Sequence, residues 1–177
     1  GSEGTLGVFT ELTLRLIPAQ PPASAVVALF DSVEDAANAV VAITAEIRPA
    51  MLEFMDHASI NAVEDHVRMG LDRDARAMLL AQSDARGAAA EELAAMVSVC
   101  ENHGATEGFA TDEPGEADAF TAARRAVFPA VQRLGGSLLL EDVTVPLDRL
   151  PAMVTGVERI AADCAVLICV VAHAGDG

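Results

Sequence analysis

The chain contains no lysine, no tryptophan and no tyrosine, and only six of its 177 residues are phenylalanine. Without large aromatic side chains, the core has to be built from aliphatic residues, and the 52% share of apolar residues is typical of a globular protein. The positive charges are eleven arginines, set against 27 acidic residues for a net charge of −16. Because so acidic a surface repels nucleic acid and anionic membranes, neither is an expected partner.

Cysteine is also scarce, and no apolar run is long. Cys100, Cys164 and Cys169 each lie in an apolar stretch at no metal-like spacing, which predicts buried free thiols. Their odd number and the lack of a secretory leader favour a reducing cytoplasm. The stretch CAVLICVVAHA has the length of one buried strand, well short of the ~20 residues of a membrane-spanning helix, so we expect no membrane span.

Between residues 24 and 112 the sequence alternates between strand and helix patterns. Ser32 with Asp35 three residues later predicts a helix start, Pro49 predicts its end, and Gly70 and Gly104 predict two further helix ends. Apolar periodicity predicts strands at 24–30, 50–56, 76–84 and 105–112, with helices at 31–47, 57–70 and 87–104. This order indicates an α+β fold: a ferredoxin-like antiparallel sheet with helices on one face, plus additional helices.

The segment before the sheet predicts a different unit. Phe9, Leu12, Leu14 and Leu16 fit a pattern of one or two half-buried strands. The proline-rich PAQPPAS at 18–24 then predicts a domain boundary.

The segment after the sheet predicts two more helices and a strand. A helix at 115–133 is expected to kink or end at Pro129, because proline interrupts helical hydrogen bonding. Extended chain follows at 134–146, then a helix at 147–164, and a final buried strand that leads into the closing HAGDG.

Two glycine-rich turns are candidates for chemistry. The opening GSEGTLG would let backbone N–H groups approach a phosphate or a flat ring, although a plain turn before a strand explains it equally. The closing HAGDG presents His173 at the end of a strand, where reactive groups are often found, and a purely structural histidine is the alternative.

Arginine supplies a third candidate. Arg124 and Arg125 are neighbours on a predicted helix, where side chains point about 100° apart, so at most one can face a pocket and grip a carboxylate. A pair of solvated charges is the alternative. Asp142 fits a turn or capping acid. The other histidines lie among charged residues and are predicted at the surface: His57, His66 and His103.

Taken together, these stretches resemble the FAD-linked 2-hydroxy-acid oxidases and dehydrogenases, of the glycolate oxidase flavin-subunit and D-lactate dehydrogenase type. The resemblance covers essentially the whole chain and rests on five segments in the family's order: GSEGTLGVFTELTLRLIP, LEFMD, ARRAVFPA, EDVTVPLDRLPAMV and HAGDG. It implies that residues 1–17 are the tail end of the FAD-binding domain, 18–23 a linker, and 24–177 the substrate (cap) domain, truncated at its C-terminus.

The resemblance also implies roles for single residues. Arg124 matches an arginine that faces the substrate carboxylate, and His173 matches the first histidine of a longer motif that in several relatives binds a divalent metal (Zn, Mn or Fe). Thr121 stands where relatives often have tryptophan, which leaves the substrate's size open. Residues of the opening turn are expected to contact the flavin: Gly1, Ser2, Glu3, Gly4, Thr5 and Gly7.

The activity implied is oxidation of a 2-hydroxy acid, such as glycolate or D-lactate, to the 2-oxo acid with hydride transfer to FAD. An iron–sulfur subunit would be the electron-accepting partner. Because FAD needs a deep cleft and a catalytic metal about three protein ligands, we expect the 177-residue chain alone to be inactive and free of flavin. From the residues alone, a non-catalytic small-molecule-binding or regulatory ferredoxin-like module stays open.

Overall fold

From residue 24 onward the chain alternates between strands and helices. A computed structural model describes residues 4–16 and 24–177. Its elements are β1 (Ser24–Phe30), α1 (Val33–Glu46), β2 (Met51–Asp56), α2 (His57–Val67), β3 (Ala77–Ser83), α3 (Ala89–Asn102), β4 (Ala105–Thr111), α4 (Pro114–Arg125), α5 (Val127–Arg133), α6 (Leu150–Cys164) and β5 (Val171–Ala172), with 3₁₀ turns at Leu147–Arg149 and Ala174–Asp176. The strands and helices predicted over 24–112 are confirmed, with ends that shift by about three residues at most.

The five strands form one sheet in the order β4-β1-β3-β2-β5. Every neighbouring pair is antiparallel. Helix α1 connects β1 to β2 and α3 connects β3 to β4, which is the predicted ferredoxin-like arrangement. Helix α2 is the added helix between β2 and β3, and β5 extends the sheet beside β2.

A helical layer covers each face of the sheet, because successive strand residues point to opposite sides. On one face Val26, Ala28 and Phe30 of β1 pack with α1, α3 and α6. On the other face Ala25 and Val27 pack with α2, α4 and α5. The two ferredoxin helices share one face as predicted, and α2, α4 and α5 are additional helices on the opposite face.

Helices α4 and α5 replace the single helix expected at 115–133. Pro129 has no N–H to bond to the carbonyl of Arg125, and its ring crowds that carbonyl. Helix α4 therefore ends at Arg125, and α5 begins after the junction at Ala126. The break that the sequence predicts at Pro129 thus falls four residues earlier, and it leaves Arg124 in the last turn of α4.

The half-buried strands predicted in the opening segment are not formed in this chain. Residues 4–16 have no strand pairing and are exposed throughout. A strand needs a neighbour for its backbone groups, and the described sheet contains no residue of this segment. Phe9 is 86% exposed as a result. The predicted boundary at 18–24 lies outside the described residues except for Ser24.

The final strand is much shorter than the predicted one and is not buried. Ala165 takes a left-handed conformation (φ 52°) that ends α6, and Val166 and Leu167 after it are exposed. Only Val171 and Ala172 pair as β5, and they are half-buried because they lie at the sheet edge with β2 as their single neighbour.

The prediction of three buried cysteines is correct only for Cys100. Burial raises the pKa of the Cys100 thiol to about 12 and that of the half-buried Cys169 to about 11. Cys164 is exposed because it is the last residue of α6, whose buried residues, Leu150 and Val154, lie in its first half.

The surface prediction for the other histidines holds for His66, which is exposed. His57 is half-buried at the start of α2, where its Nδ1 lies 3.0 Å from the carbonyl oxygen of Ala75. His103 is half-buried at the end of α3. The charged residues around them in the sequence predict surface positions, but His57 contacts the segment before β3 and His103 is partly covered as the residue that ends α3.

Candidate active site

A buried glutamate on β2 marks the candidate site. Glu53 lies in the middle of β2, and its side chain is only 7% exposed. Strand alternation points it to the same face as Met51 and Met55, toward the layer of α2, α4 and α5. A buried carboxylate is costly unless hydrogen bonds and an opposite charge accompany it, and two side chains supply them here.

Arg124 is the first partner of this carboxylate. Its Nε donates a hydrogen bond to Oε2 of Glu53 over 2.7 Å, and its side chain is 20% exposed. Arg124 reaches β2 from the last turn of α4, immediately before the break that Pro129 causes. Arg125 is exposed. Only one of the two neighbouring arginines therefore faces the site, as the helical spacing predicts.

His173 is the second partner. Its Nδ1 lies 2.6 Å from Oε1 of Glu53. Strands β2 and β5 pair with Phe54 opposite Ala172, so Glu53 and His173 are the next antiparallel neighbours. Cross-strand neighbours project from the same face of a sheet, which explains the contact. The rest of the imidazole faces outward, and the His173 side chain is 75% exposed.

The glycines after His173 hold its turn against the domain. Gly177 has a φ of +86°, and a Cβ there would collide with the carbonyl oxygen of Val145, so the position requires glycine. The N–H of Val145 donates to the carbonyl of Gly177 over 3.1 Å. A Cβ on Gly175 would lie 3.4 Å from the Cβ of Leu52. Gly177 is therefore the residue that fits the turn against Val145, whereas a side chain at Gly175 would make only an ordinary contact.

A further polar pair borders the site. Thr121 lies one turn before Arg124 on α4, and its Oγ1 accepts a hydrogen bond from Nε2 of Gln82 over 3.2 Å. Gln82 is the β3 residue opposite Met51 of β2, two positions along β3 from Leu80, which is opposite Glu53. The position that the family resemblance connects with substrate size is thus adjacent to the arginine.

The arrangement leaves several donor and acceptor atoms available. Among the described residues, no hydrogen bond engages Nε2 of His173 or the two terminal nitrogens of Arg124. A guanidinium can bind a carboxylate in bidentate geometry, and a neutral imidazole nitrogen can accept a proton. Because one carboxylate holds both side chains, a guanidinium and an imidazole with unengaged nitrogens lie side by side.

The described residues do not form a metal site by themselves. No three His, Cys, Asp or Glu side chains among them converge on a point that could hold an ion. Glu53 and His173 meet as a pair, and Glu53 is already paired with Arg124. A catalytic zinc takes about three protein ligands, so the metal role of His173 stays a prediction.

The opening glycine turn lies only partly within the described residues. Gly1, Ser2 and Glu3 fall outside them. Gly4 has a φ of +71°, which favours glycine, and a Cβ at Gly4 or Gly7 would meet nothing within 4 Å. These residues and Thr5 are exposed, so their flavin contacts stay a prediction. Asp142 is exposed as well.

Sequence reasoning missed Glu53, although it noticed the surrounding LEFMD. The signal that could have found it is a lone acid between the apolar residues of a strand whose neighbours are buried. A charge is fully buried in such a place only when it is paired. Searching for its partner among the two candidate cations already noted, Arg124 and His173, would have linked all three.

A cleft also lies on the opposite face of the sheet, away from the candidate site. It has a volume of about 520 Å³ and is lined mainly by aliphatic side chains of α6 and of residues 166–170. Asp56 lies beside it; burial raises the pKa of this carboxyl, while its Oδ1 caps α2 by accepting from the N–H of Ser59 over 2.9 Å. None of the predicted site residues lines this cleft.

Comparison with known proteins gives the family. The sequence matches FAD linked oxidases, C-terminal domain, over residues 20–177. Over its whole length it is 36% identical to the glycolate oxidase subunit GlcD of Bacillus subtilis (strain 168) and 39% identical to that of Escherichia coli (strain K12). It is 27% identical to a mitochondrial D-lactate dehydrogenase (cytochrome) of Arabidopsis thaliana.

The chain spans 38%, 36% and 32% of these three relatives, respectively. In the parts that the structure describes, none of the helices combines the length and the apolar character that crossing a membrane requires. The family resemblance and the ferredoxin-like fold expected from the sequence are both confirmed, and the chain belongs to the FAD-linked oxidases, whose C-terminal domain it matches.

Proposed function

We propose that this chain is the substrate-binding part of a flavoenzyme that oxidises a small 2-hydroxy acid, of the glycolate or D-lactate kind, to the 2-oxo acid. The observation that carries the proposal is the convergence of Arg124 and His173 on the two oxygens of Glu53. A 2-hydroxy acid has its carboxylate and its hydroxyl on adjacent carbons. An enzyme for this substrate therefore needs a carboxylate-binding group beside a proton acceptor.

Arg124 binds and orients the substrate in this proposal. Its Nε is engaged by Glu53, and its two terminal nitrogens donate to the substrate carboxylate. Fixing the carboxylate places the adjacent hydroxyl-bearing carbon at a defined position, and this kind of positioning lowers the entropic part of the barrier.

His173 handles the hydroxyl proton. An alcohol is a very weak acid, so removal of its proton as the substrate is oxidised needs a base in hydrogen-bond reach. Nε2 of His173 is the free nitrogen of an imidazole whose Nδ1 is already held. FAD, when bound, supplies the acceptor of the hydride that leaves the same carbon.

Membership of the family suggests the domain to which each remaining segment of the chain belongs. Residues 1–17, with Gly4, Thr5 and Gly7 of the opening turn, belong to the flavin-binding domain, residues 18–23 are the linker, and 24–177 belong to the substrate domain. Because some relatives are named as a subunit of glycolate oxidase, the whole enzyme would work with a partner subunit. We further propose that this partner is an iron–sulfur subunit that accepts the electrons, and that the enzyme works in the cytoplasm.

The test is anaerobic reduction of the flavin in the full-length enzyme by a panel of D- and L-2-hydroxy acids. Bleaching by at least one small 2-hydroxy acid, and none by the matching simple alcohol without a carboxylate, is the expected result. Acids that bind without bleaching the flavin would instead favour the non-catalytic binding module and overturn the proposal.

Two arginine variants sharpen this test. Arg124→Ala should raise the substrate concentration for half-maximal reduction by about 10²-fold, because a bidentate, charge-assisted contact is lost. The flavin content should stay normal. Arg125→Ala, which removes the exposed neighbour, is the matched control and should behave as wild type. If both variants behave alike, Arg124 does not bind the substrate.

A further inference from the structure

We propose that Glu53 is a positioning residue that sets the tautomer of His173 and, with its other oxygen, the orientation of Arg124. This inference deepens the proposed function and rests on it. Glu53 touches neither substrate nor cofactor in this proposal; it acts through the two side chains that do.

Both oxygens of Glu53 are used, and by different residues. Oε2 accepts from Nε of Arg124 over 2.7 Å, and Oε1 lies 2.6 Å from Nδ1 of His173. The three residues come from β2, from the last turn of α4 and from the turn after β5. A carboxylate in the middle of a paired strand thus holds two side chains that lie at the ends of other elements.

Glu53 also determines which nitrogen of His173 carries the proton. An ionised carboxylate can only accept hydrogen bonds, so Nδ1 of the imidazole must be the protonated nitrogen in this contact. In the neutral ring Nε2 then carries the lone pair. Nε2 is the outward nitrogen, with no hydrogen-bond partner among the described residues. Glu53 therefore presents the one tautomer of His173 that can accept a proton from a bound hydroxyl.

Glu53 also determines which nitrogens of Arg124 remain for a substrate. Guanidinium is always protonated and offers donors only, so Arg124 has no alternative state in which it could adapt to a changed partner. Because Glu53 takes the Nε–H, the anchoring hydrogen bond uses none of the donors of the two terminal nitrogens, which have no hydrogen-bond partner among the described residues. Glu53 in this way separates the Arg124 donors into one that anchors the side chain and those that bind the substrate.

In Glu53→Gln, Arg124 should keep its hydrogen bond to residue 53, whereas His173 should change the nitrogen that carries its proton. The amide has one acceptor oxygen, and Arg124 can only donate, so the oxygen stays with Arg124. The amide NH₂ then faces Nδ1 of His173, which has to become the acceptor. The proton moves to Nε2, and the outward nitrogen can no longer take a proton, while the arginine keeps its anchor.

The direct experiment is ¹⁵N NMR of histidine-labelled full-length enzyme, free of substrate, with His173 assigned by its loss in His173→Gln. We expect the wild type to carry its proton on Nδ1 and Glu53→Gln to carry it on Nε2. A wild-type ring protonated on Nε2, or an unchanged tautomer in Glu53→Gln, would overturn the proposal. If Glu53→Gln does not fold, the wild-type spectrum alone decides.

The kinetic counterpart separates positioning from a structural role. In Glu53→Gln we expect kcat for flavin reduction to fall by about 10⁴-fold, the scale of the tautomer-inverting Asp→Asn change in a serine-protease triad. KM should change by no more than about threefold, because Arg124 keeps its anchor. Equal losses in kcat and substrate affinity would contradict the assignment.

Glu64→Gln is the matched control. It makes the same acid-to-amide change at another buried glutamate of the domain, one whose Oε2 accepts from backbone N–H groups rather than from site residues. It should lower stability but leave kcat and the His173 tautomer unchanged. The NMR result does not depend on any substrate. If Glu53→Gln inverts the His173 tautomer but no 2-hydroxy acid reduces the wild-type flavin, the proposed function is rejected and the role of Glu53 is kept.

Discussion

At the scale of single residues, the domain uses buried carboxylates in two ways. Glu53 is satisfied by side chains of the site, whereas Glu64, at the end of α2, is satisfied by backbone. Its Oε2 accepts from the N–H groups of Met69, Gly70 and Leu71 at 2.9, 2.9 and 3.0 Å. Three donors on one oxygen fix the loop after α2, and they stabilise the ionised carboxylate more than the protonated form.

Ionisation of Glu64 should therefore contribute to the pH dependence of the free energy of unfolding. The hydrogen bonds from Leu71, Gly70 and Met69, with the charge of Arg73, lower its pKa in the folded state below the ordinary 4.5. A lowered folded pKa contributes stability above the unfolded pKa, and this stability is lost as the pH falls through the folded pKa. Urea unfolding of wild type and Glu64→Gln should differ at about pH 7, and the difference should shrink toward about pH 3. A difference independent of pH would contradict this.

Sequence reasoning reached two of the three residues at the candidate site. Arg124 and His173 stand out by type, beside Arg125 and within a glycine turn. Glu53 does not, because its partners follow 71 and 120 residues later and only the pairing of β5 with β2 and the crossing of α4 over the sheet bring them together. Local patterns carry no information on such distant contacts.

At the scale of elements, the ends of helices are the features that local sequence predicts best. Ser32 has extended backbone angles and its Oγ accepts the N–H of Asp35 over 3.2 Å, as the capping pattern predicts. Pro129 breaks the helix through the carbonyl of Arg125. The length of β5 could not be read in this way, because an apolar run such as 164–174 looks the same whether a neighbouring strand pairs with it or not.

Removal of the Ser32 cap should destabilise the domain. Ser32→Ala leaves the Asp35 N–H without its side-chain acceptor, which typically costs about 1 kcal/mol. Ser98→Ala on the exposed side of α3 is the control: it has the same chemical change within a helix, where alanine is favoured, and should cause no loss. Denaturant midpoints of both variants in the 177-residue chain measure the difference. Equal midpoints would show that the Ser32 cap contributes nothing.

At the scale of the whole molecule, apolar surface is distributed unevenly. Residues 24–177 bury their sheet under helices on both faces, whereas every large apolar residue described in 4–16 is more than half exposed: Leu6, Val8, Phe9, Leu12, Leu14 and Leu16. Scattered exposed apolar residues are ordinary, but a continuous series of them marks a surface that a partner covers. The proposed flavin-binding domain is the partner that the family provides.

Phe9 and Phe30 offer a matched test of this assignment. In the 177-residue chain Phe9 is 86% exposed and Phe30 fully buried, so Phe9→Ala should change the free energy of unfolding by less than about 0.5 kcal/mol, and Phe30→Ala should cost about 3–5 kcal/mol. In the full-length enzyme, Phe9→Ala should lower thermal stability and flavin content, because its ring would be covered there. A Phe9→Ala variant that is neutral in both proteins would separate residues 4–16 from the flavin-binding domain, while leaving the roles of Arg124 and His173 untouched.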